Sequence, residues 1–366
     1  MNIFLLGATP SLSAEAGEDP ISKLAKTGGN TGNQLIARGL LDRIVYEDIS
    51  WDHSIDPRKV HERFDMIIVA AANFLFPKFD LGGMAHYIER ADLPVAIVGL
   101  GAQSNNYDPN ISLMPGTERF VKVIAERAVS IGVRGPYTQE VLAVRGVHNV
   151  TVTGCPSYYM GGPDGMNVPR RPFEQVKRLS INASRDVIVH SFDKERMLRL
   201  VREIYSTGIA WKADFIAQSE PAEIRLGDRQ SRNVEESLRE LSTFLMGMAP
   251  EADIRKWATD HVRVFFDVDD WLDTVQNYDF VIGSRFHGCM IALQRGVPAL
   301  VICHDTRTED MCRFLGMPFV SIVDLDEIDV AELYSRVGVG SLARRYQGLY
   351  PAYTRFLAAN KLVARN

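Results

Sequence analysis

Short apolar runs alternate with amphipathic stretches along most of the chain. Ile3–Leu6, Met66–Ala70, Val95–Val98, Val129–Val133 and Val150–Thr153 have the length and bulk of buried strands. Between them, Gln34–Ile44, Gly83–Arg90, Thr117–Ala128 and Tyr137–Arg145 repeat apolar residues at helical spacing. This alternation predicts a parallel, doubly wound sheet. From Tyr159 to Pro172 the period vanishes and breakers dominate, with Gly161, Gly162, Pro163, Gly165, Pro169 and Pro172. A linker is expected there, with hinge motion of the two halves about it. The alternation then resumes. Val187–His190, Trp211–Ala217, Val262–Phe266, Phe280–Ile282, Ala299–Cys303 and Phe319–Ser321 are the expected strands. Lys194–Tyr205, Val234–Met246, Val268–Gln276, Arg285–Gln294, Glu309–Leu315 and Val330–Val337 are the expected helices. A last helix, near Leu342 to Leu362, has no strand after it. The pattern therefore predicts an α/β fold of two Rossmann-like doubly wound domains, 1–160 and 173–341. Residues 161–172 link them, and 342–366 form a helix that packs across the boundary. Such sheets face each other across a cleft at the carboxyl ends of their strands, where ligands of open α/β sheets bind.

The sharpest local pattern lies between Asp279 and Pro298. Phe280-Val281-Ile282 reads as a strand, Gly283 as a turn and Ser284 as a helix N-cap. Phe286, Cys289, Met290 and Leu293 fall on one helical face, and Gly296 follows as the C-terminal stop. Arg285 and His287 flank Phe286 in the first turn, beside free backbone N–H groups and the positive dipole end. A cation and an imidazole at such a helix start suit a phosphate or a carboxylate. Ser284, Arg285, Phe286 and His287 are thus candidate anion-binding residues.

Three further segments point at the same cleft. The loop Thr27–Asn33 is glycine-rich before a helix and offers Asn30 and Asn33 as polar contacts. Val98–Gln103 ends a strand with Gly99 and Gly101 but lacks a third glycine, so it reads as a loop rather than a dinucleotide site. Arg134 ends the strand Val129–Val133, where it either clamps an anion or pairs with Glu140 at the surface. His190 ends an expected strand and faces the cleft. His304, Asp305 and Glu309 match no metal cage and read as loop residues. The charged run from Glu220 to Glu240 reads as a solvated loop.

Composition narrows the class. At 366 residues, with 46% hydrophobic and 24% charged positions, the chain is of globular type and fits two domains. A net charge of −5 argues against a nucleic-acid or anionic-membrane binder. No run approaches the ~18 apolar residues of a membrane span, and Asn2–Leu6 reads as a strand rather than a signal peptide. The 4 cysteines, Cys155, Cys289, Cys303 and Cys312, have neither metal nor disulfide spacing and read as small buried hydrophobes. The cytoplasm is the expected compartment.

The segment Phe280 to Pro298 (FVIGSRFHGCMIALQRGVP), followed by Leu300 to Asp305, resembles the polysaccharide pyruvyl transferase family. So do Val129 to Ser157, the loop Gly28 to Leu41 and the stretch Pro94 to Ser104. The resemblance implies the two-domain architecture of the GT-B glycosyltransferases. It implies transfer of a pyruvyl group from phosphoenolpyruvate, as a co-substrate with no further cofactor or metal, to saccharide hydroxyls, giving a pyruvate ketal in polysaccharide or cell-surface glycan synthesis. A glycolipid-linked oligosaccharide acceptor would bring the protein beside a membrane surface. Arg134, Ser284, Arg285, Phe286 and His287 would then hold the donor, with Arg285 stabilising charge and His287 carrying a proton. Asn30, Asn33, Asn73, Gln103 and His190 would face the acceptor. The family commonly carries Asp where Asn33 stands, and an amide cannot act as acid or base. The alternatives are a nucleotide-sugar glycosyltransferase on the same architecture, and a saccharide-binding protein without catalysis.

Overall fold

The computed structural model describes residues 1–12, 18–185, 188, 190–228 and 233–365. Its strands form two sheets. The first contains β1 (Asn2–Gly7), β2 (Asp48–Ser50), β3 (Met66–Ala70), β4 (Asn73–Leu75), β5 (Val95–Ala102), β6 (Ile131–Val133) and β7 (Val150–Val152). Its order is 2-1-3-5-6-7, with β4 paired to the end of β5. The second contains β8 (Leu179–Asn182), β9 (Asp214–Ala217), β10 (Val262–Val264), β11 (Phe280–Gly283), β12 (Ala299–Cys303) and β13 (Phe319–Ser321), in the order 10-9-8-11-12-13. Every strand pair within both sheets is parallel. Helices cover the sheets, so β3, β5, β11 and β12 are buried along their whole length. That burial is why they read as unbroken apolar runs. The architecture is α/β with two Rossmann-like doubly wound domains. Strand order reverses between β1 and β3 in the first sheet and between β8 and β11 in the second. These are the switch points at which ligands of such sheets bind.

Several elements differ from the sequence reading, each for a local reason. β5 runs on through Gly99 and Gly101 to Ala102, where a loop was expected. The helix Lys194–Trp211 continues past Tyr205 until Lys212 adopts a left-handed conformation (φ 50°), so β9 starts only at Asp214 rather than at Trp211. The expected strand Val187–His190 lies partly outside the described residues. The strand that fills this place, β8, was hidden because Ser180 and Asn182 are as buried as Leu179 and Ile181. The charged run after Glu220 is not a solvated loop. It opens with the helix Pro221–Gly227 and buries Glu220 and Glu223, ahead of the expected helix, which runs Val234–Phe244.

One apolar cluster runs through both domains. Leu5, Ile68 and Val98 of the first sheet join Leu40, Met290 and Leu293 of the flanking helices and Val301 of β12. The last helix, Val339–Ala359, returns to the first domain. Tyr353 stacks on Tyr159 at 4.1 Å, Tyr346 donates its hydroxyl to the Gly162 carbonyl at 2.6 Å, and Ala364 forms an antiparallel bridge with Ile44. The breaker-rich segment is packed beneath it, with Met166 and Val168 buried. The expected hinge therefore has little slack, because moving it would open a continuous apolar contact. No helix among the described residues is long and apolar enough to cross a membrane.

Candidate functional site

β8 and β11 end side by side at the switch point, and Asn182 shapes the turn that follows. Its carbonyl accepts the Ser284 N–H at 3.1 Å and its side-chain Oδ1 accepts the Arg285 N–H at 2.9 Å. The N-cap of the helix Phe286–Gln294 is therefore Arg285, not Ser284 as its residue type suggested. An external amide oxygen has taken over the capping role, and the buried Ser284 hydroxyl has no partner. Two glycines let neighbouring segments close on this helix start. A Cβ at Gly288 would lie 2.7 Å from Asn182 Cγ, and one at Gly32 would lie 2.7 Å from Gln218 Oε1 and 2.9 Å from His287 Cβ. The loop is drawn in further by Thr31, whose N–H donates to the Gln218 carbonyl at 2.9 Å.

The Arg285 guanidinium is gripped on one side. Its Nη2 donates to the Ser184 and Ser219 hydroxyls and to Glu220 Oε1 at 3.3 Å, while Nε is buried without a partner. Burial works to raise the Glu220 pKa, but the Arg285 charge and hydrogen bonds from Ser184, the backbone and Ser219 outweigh it and hold the carboxyl below its usual range. Glu220 thus stays ionised and fixes Arg285 without enclosing it.

His287 is 6% exposed. Burial pushes its pKa well below the ordinary histidine value, and the charges of Arg134, Arg307 and Arg285 push it the same way. The imidazole is neutral at pH 7. Its Nε2 lies 3.4 Å from Cys155 Sγ. Arg134 is 2% exposed and not a surface residue paired with Glu140. Its Nε donates to the Gly99 carbonyl at 2.8 Å and its Nη2 to the Ala71 carbonyl at 3.3 Å. Among the described residues no carboxylate forms an ion pair with it. Among the described residues Arg307 pairs only with Asp305, at 3.7 Å, and its Nε makes no hydrogen bond. Phe286, grouped with the donor residues, sends its ring into the apolar cluster, where it also stands edge-on to the His287 ring at 5.3 Å.

On the other side of the cleft, Asn73 donates to Gln103 Oε1, and Gln103 Nε2 donates to Asp305 Oδ2 at 2.6 Å. Burial opposes ionisation of Asp305, but His304, Arg307 and the Thr308 hydrogen bonds together hold its pKa at about 2. His304 is fully buried, and neither ring nitrogen makes a hydrogen bond. Burial lowers its pKa to about 4, against the pull of Asp305. His190 stands edge-on to Phe76, with ring centres 6.0 Å apart, and lines a cavity of about 350 Å³ with Gln103, Ser104 and Asp108. Asn30 spends its Oδ1 on the Gly32 N–H, and Asn33 spends its Nδ2 on the Thr27 carbonyl. Both shape the loop and remain half-buried. Among the described residues no three His, Cys, Asp or Glu side chains are grouped to hold a metal.

Arg134, Arg285 and His287 thus converge, while Asn73, Gln103 and His190 gather beside them. Asn182, Gln218, Glu220, His304, Arg307 and Cys155 are added by the structure. Thr31, Gln218, Ser284, Arg285, His304 and Arg307 all carry buried side-chain polar atoms without hydrogen-bond partners. Leaving so many unpaired is costly in a sealed core, at about 1–3 kcal/mol for each. The fold and the site together define a two-domain α/β protein with a cation-rich centre between its switch points. The family model of polysaccharide pyruvyl transferases matches residues 30–306, and the chain belongs to that family. No curated protein matches the chain. Among solved structures, S. aureus MnaA with UDP is similar at 12% identity, over 95% of this chain and 90% of that one, with a TM-score of 0.44. UDP-N-acetylglucosamine 2-epimerase from Rickettsia bellii is similar at 14% identity, over 98% and 94%, with a TM-score of 0.43.

Proposed function

We propose that the protein transfers a pyruvyl group from phosphoenolpyruvate to two hydroxyls of a saccharide, forming a pyruvate ketal and releasing phosphate. The observation that carries this reading is Arg134, a buried guanidinium with no carboxylate partner among the described residues, set with Arg285 and Arg307 around a neutral imidazole. A donor bearing both phosphate and carboxylate supplies the missing counter-charges. In the reaction the donor methylene takes a proton from His287 and becomes methyl. Its neighbouring carbon, now oxocarbenium-like, is attacked by one hydroxyl. That hydroxyl gives its proton back to His287, and phosphate then leaves, taking up the proton of the second hydroxyl as it adds. The arginines and the start of the helix Phe286–Gln294 stabilise the charge on the departing phosphate. Asn73, Gln103 and His190 line the acceptor side, with Asn30 and Asn33 shaping its loop. The protein incubated with phosphoenolpyruvate and a panel of saccharides should release phosphate only with an accepting sugar, and that sugar should gain a ketal detectable by mass. Absence of phosphate release across a broad panel, with stabilisation by a sugar nucleotide instead, would overturn the reading in favour of glycosyl transfer.

A further inference from the structure

A histidine that carries protons in this site faces a difficulty. Its imidazolium form is opposed by burial and by Arg134, Arg307 and Arg285. The residue behind the ring resolves it. Cys155, fully buried just after β7, places Sγ 3.4 Å from His287 Nε2. The Ser157 hydroxyl donates to the same sulfur at 3.1 Å. Nε2 makes the ring's one hydrogen bond among the described residues, and Nδ1 is neither bonded nor sealed off.

We infer that Cys155 is a positioning residue for His287, whose thiol holds Nε2 so that the ring presents Nδ1–H to the substrate. This rests on the pyruvyl-transfer reading for its chemistry, but not for its geometry. A neutral imidazole has one N–H. The Ser157 hydroxyl takes one sulfur lone pair, and in the inferred arrangement the S–H points at Nε2 while the ring proton resides on Nδ1. As the Nδ1–H bond breaks and a C–H bond forms at the donor methylene, the S–H bond breaks and an Nε2–H bond forms. The ring stays neutral. The thiolate left behind accepts the Ser157 hydrogen bond. When the acceptor hydroxyl adds, its proton goes to Nδ1 and the Nε2 proton returns to sulfur. The same ring thus serves as acid and then as base by exchanging tautomers.

The test is the tautomer of His287, read from long-range proton–nitrogen correlation spectra of protein labelled with ¹⁵N-histidine and assigned by the signal missing in His287→Gln. The proton is expected on Nδ1 in the wild type and in Cys155→Ser, and on Nε2 in folded Cys155→Ala. A wild-type ring protonated on Nε2, or an unchanged tautomer in Cys155→Ala, would overturn the inference. Neither result depends on turnover, so a protein inactive with phosphoenolpyruvate would refute the proposed reaction and leave this measurement decisive. In the active protein, Cys155→Ala should lower kcat roughly 10–100-fold, as loss of a group that orients a functional histidine does, with donor KM nearly unchanged. A fall in donor affinity with intact kcat would instead mark Cys155 as part of the binding wall and sink the positioning role.

Discussion

Arg285 shows how much a single residue's role depends on geometry beyond its charge. Its Nη2 is spent on Ser184, Ser219 and Glu220, which leaves the rest of a planar fork for a ligand. A lysine cannot be anchored and donate bidentately at once. Arg285→Lys should therefore weaken donor binding or transition-state stabilisation by about 1.5–3 kcal/mol, the value of a lost charge-assisted bond. Donor affinity from calorimetry and kcat/KM for phosphate release check this, and unchanged values would remove Arg285 from the site. His287→Gln keeps volume and hydrogen bonding but not the proton. It should remain folded, by circular dichroism, and lose roughly 10²–10⁴-fold in rate. A folded variant with near-normal turnover would make His287 a packing residue. Phosphate binding should raise the pKa of His287 by supplying the opposite charge, visible as a shift of its NMR titration. The R-x-H pair was legible because a capped, amphipathic helix after an apolar strand is a strong local signal. Cys155 and Arg307 were not, because their importance comes from what faces them across the cleft. A thiol among apolar residues reads as core until an imidazole nitrogen is found beside it.

The start of the run Glu220 to Glu240 folds where a solvated loop is expected, because charge in a sequence looks solvated. Here the charges face each other. Arg185 donates to Glu223 Oε2 at 2.9 Å, and Tyr205 donates to Glu223 Oε1 at 2.7 Å. Burial raises the Glu223 pKa to about 7, against the Arg185 charge, with Glu220 adding to the rise. A carboxyl whose pKa is higher folded than unfolded binds its proton more tightly in the native state. Its stabilising contribution is complete below the unfolded value near 4.5 and fades as pH rises toward 7. The span corresponds to about 3 kcal/mol. Urea unfolding at a series of pH values should show stability falling between pH 5 and 7 by more in the wild type than in Glu223→Gln. Parallel curves for the two proteins would mean that Glu223 does not titrate there. β8 was missed for a related reason: Ser180 and Asn182 interrupt the apolar run that marks a buried strand, and one of them builds the site's turn.

Across the whole molecule, strand and helix alternation was legible for both domains because parallel sheets impose it over long windows. Their mutual packing was not, since no periodicity reports which helix faces come to share one apolar cluster. That cluster argues for a cleft that is largely preformed. X-ray scattering with and without saturating phosphoenolpyruvate should give nearly superimposable profiles, and a marked contraction on binding would show that the shared core yields. The last helix is part of this joint. Phe356 is 3% exposed and packs where a Cβ on Gly132 would clash with its ring, 2.7 Å from Cζ. Phe356→Ala should cost about 3–5 kcal/mol in chemical denaturation.

The stacking of Tyr353 on Tyr159 also bears on how the chain is made. Residues of the helix Val339–Ala359 complete the covering of residues synthesised far earlier, so the first domain leaves the ribosome with part of its surface open. At roughly 5–20 residues per second that exposure lasts for tens of seconds. During this interval Tyr158, Tyr159 and the neighbouring apolar positions are available to chaperones or to other nascent chains. Misfolding of this protein should accordingly begin in its first half and be governed by the arrival of its last helix.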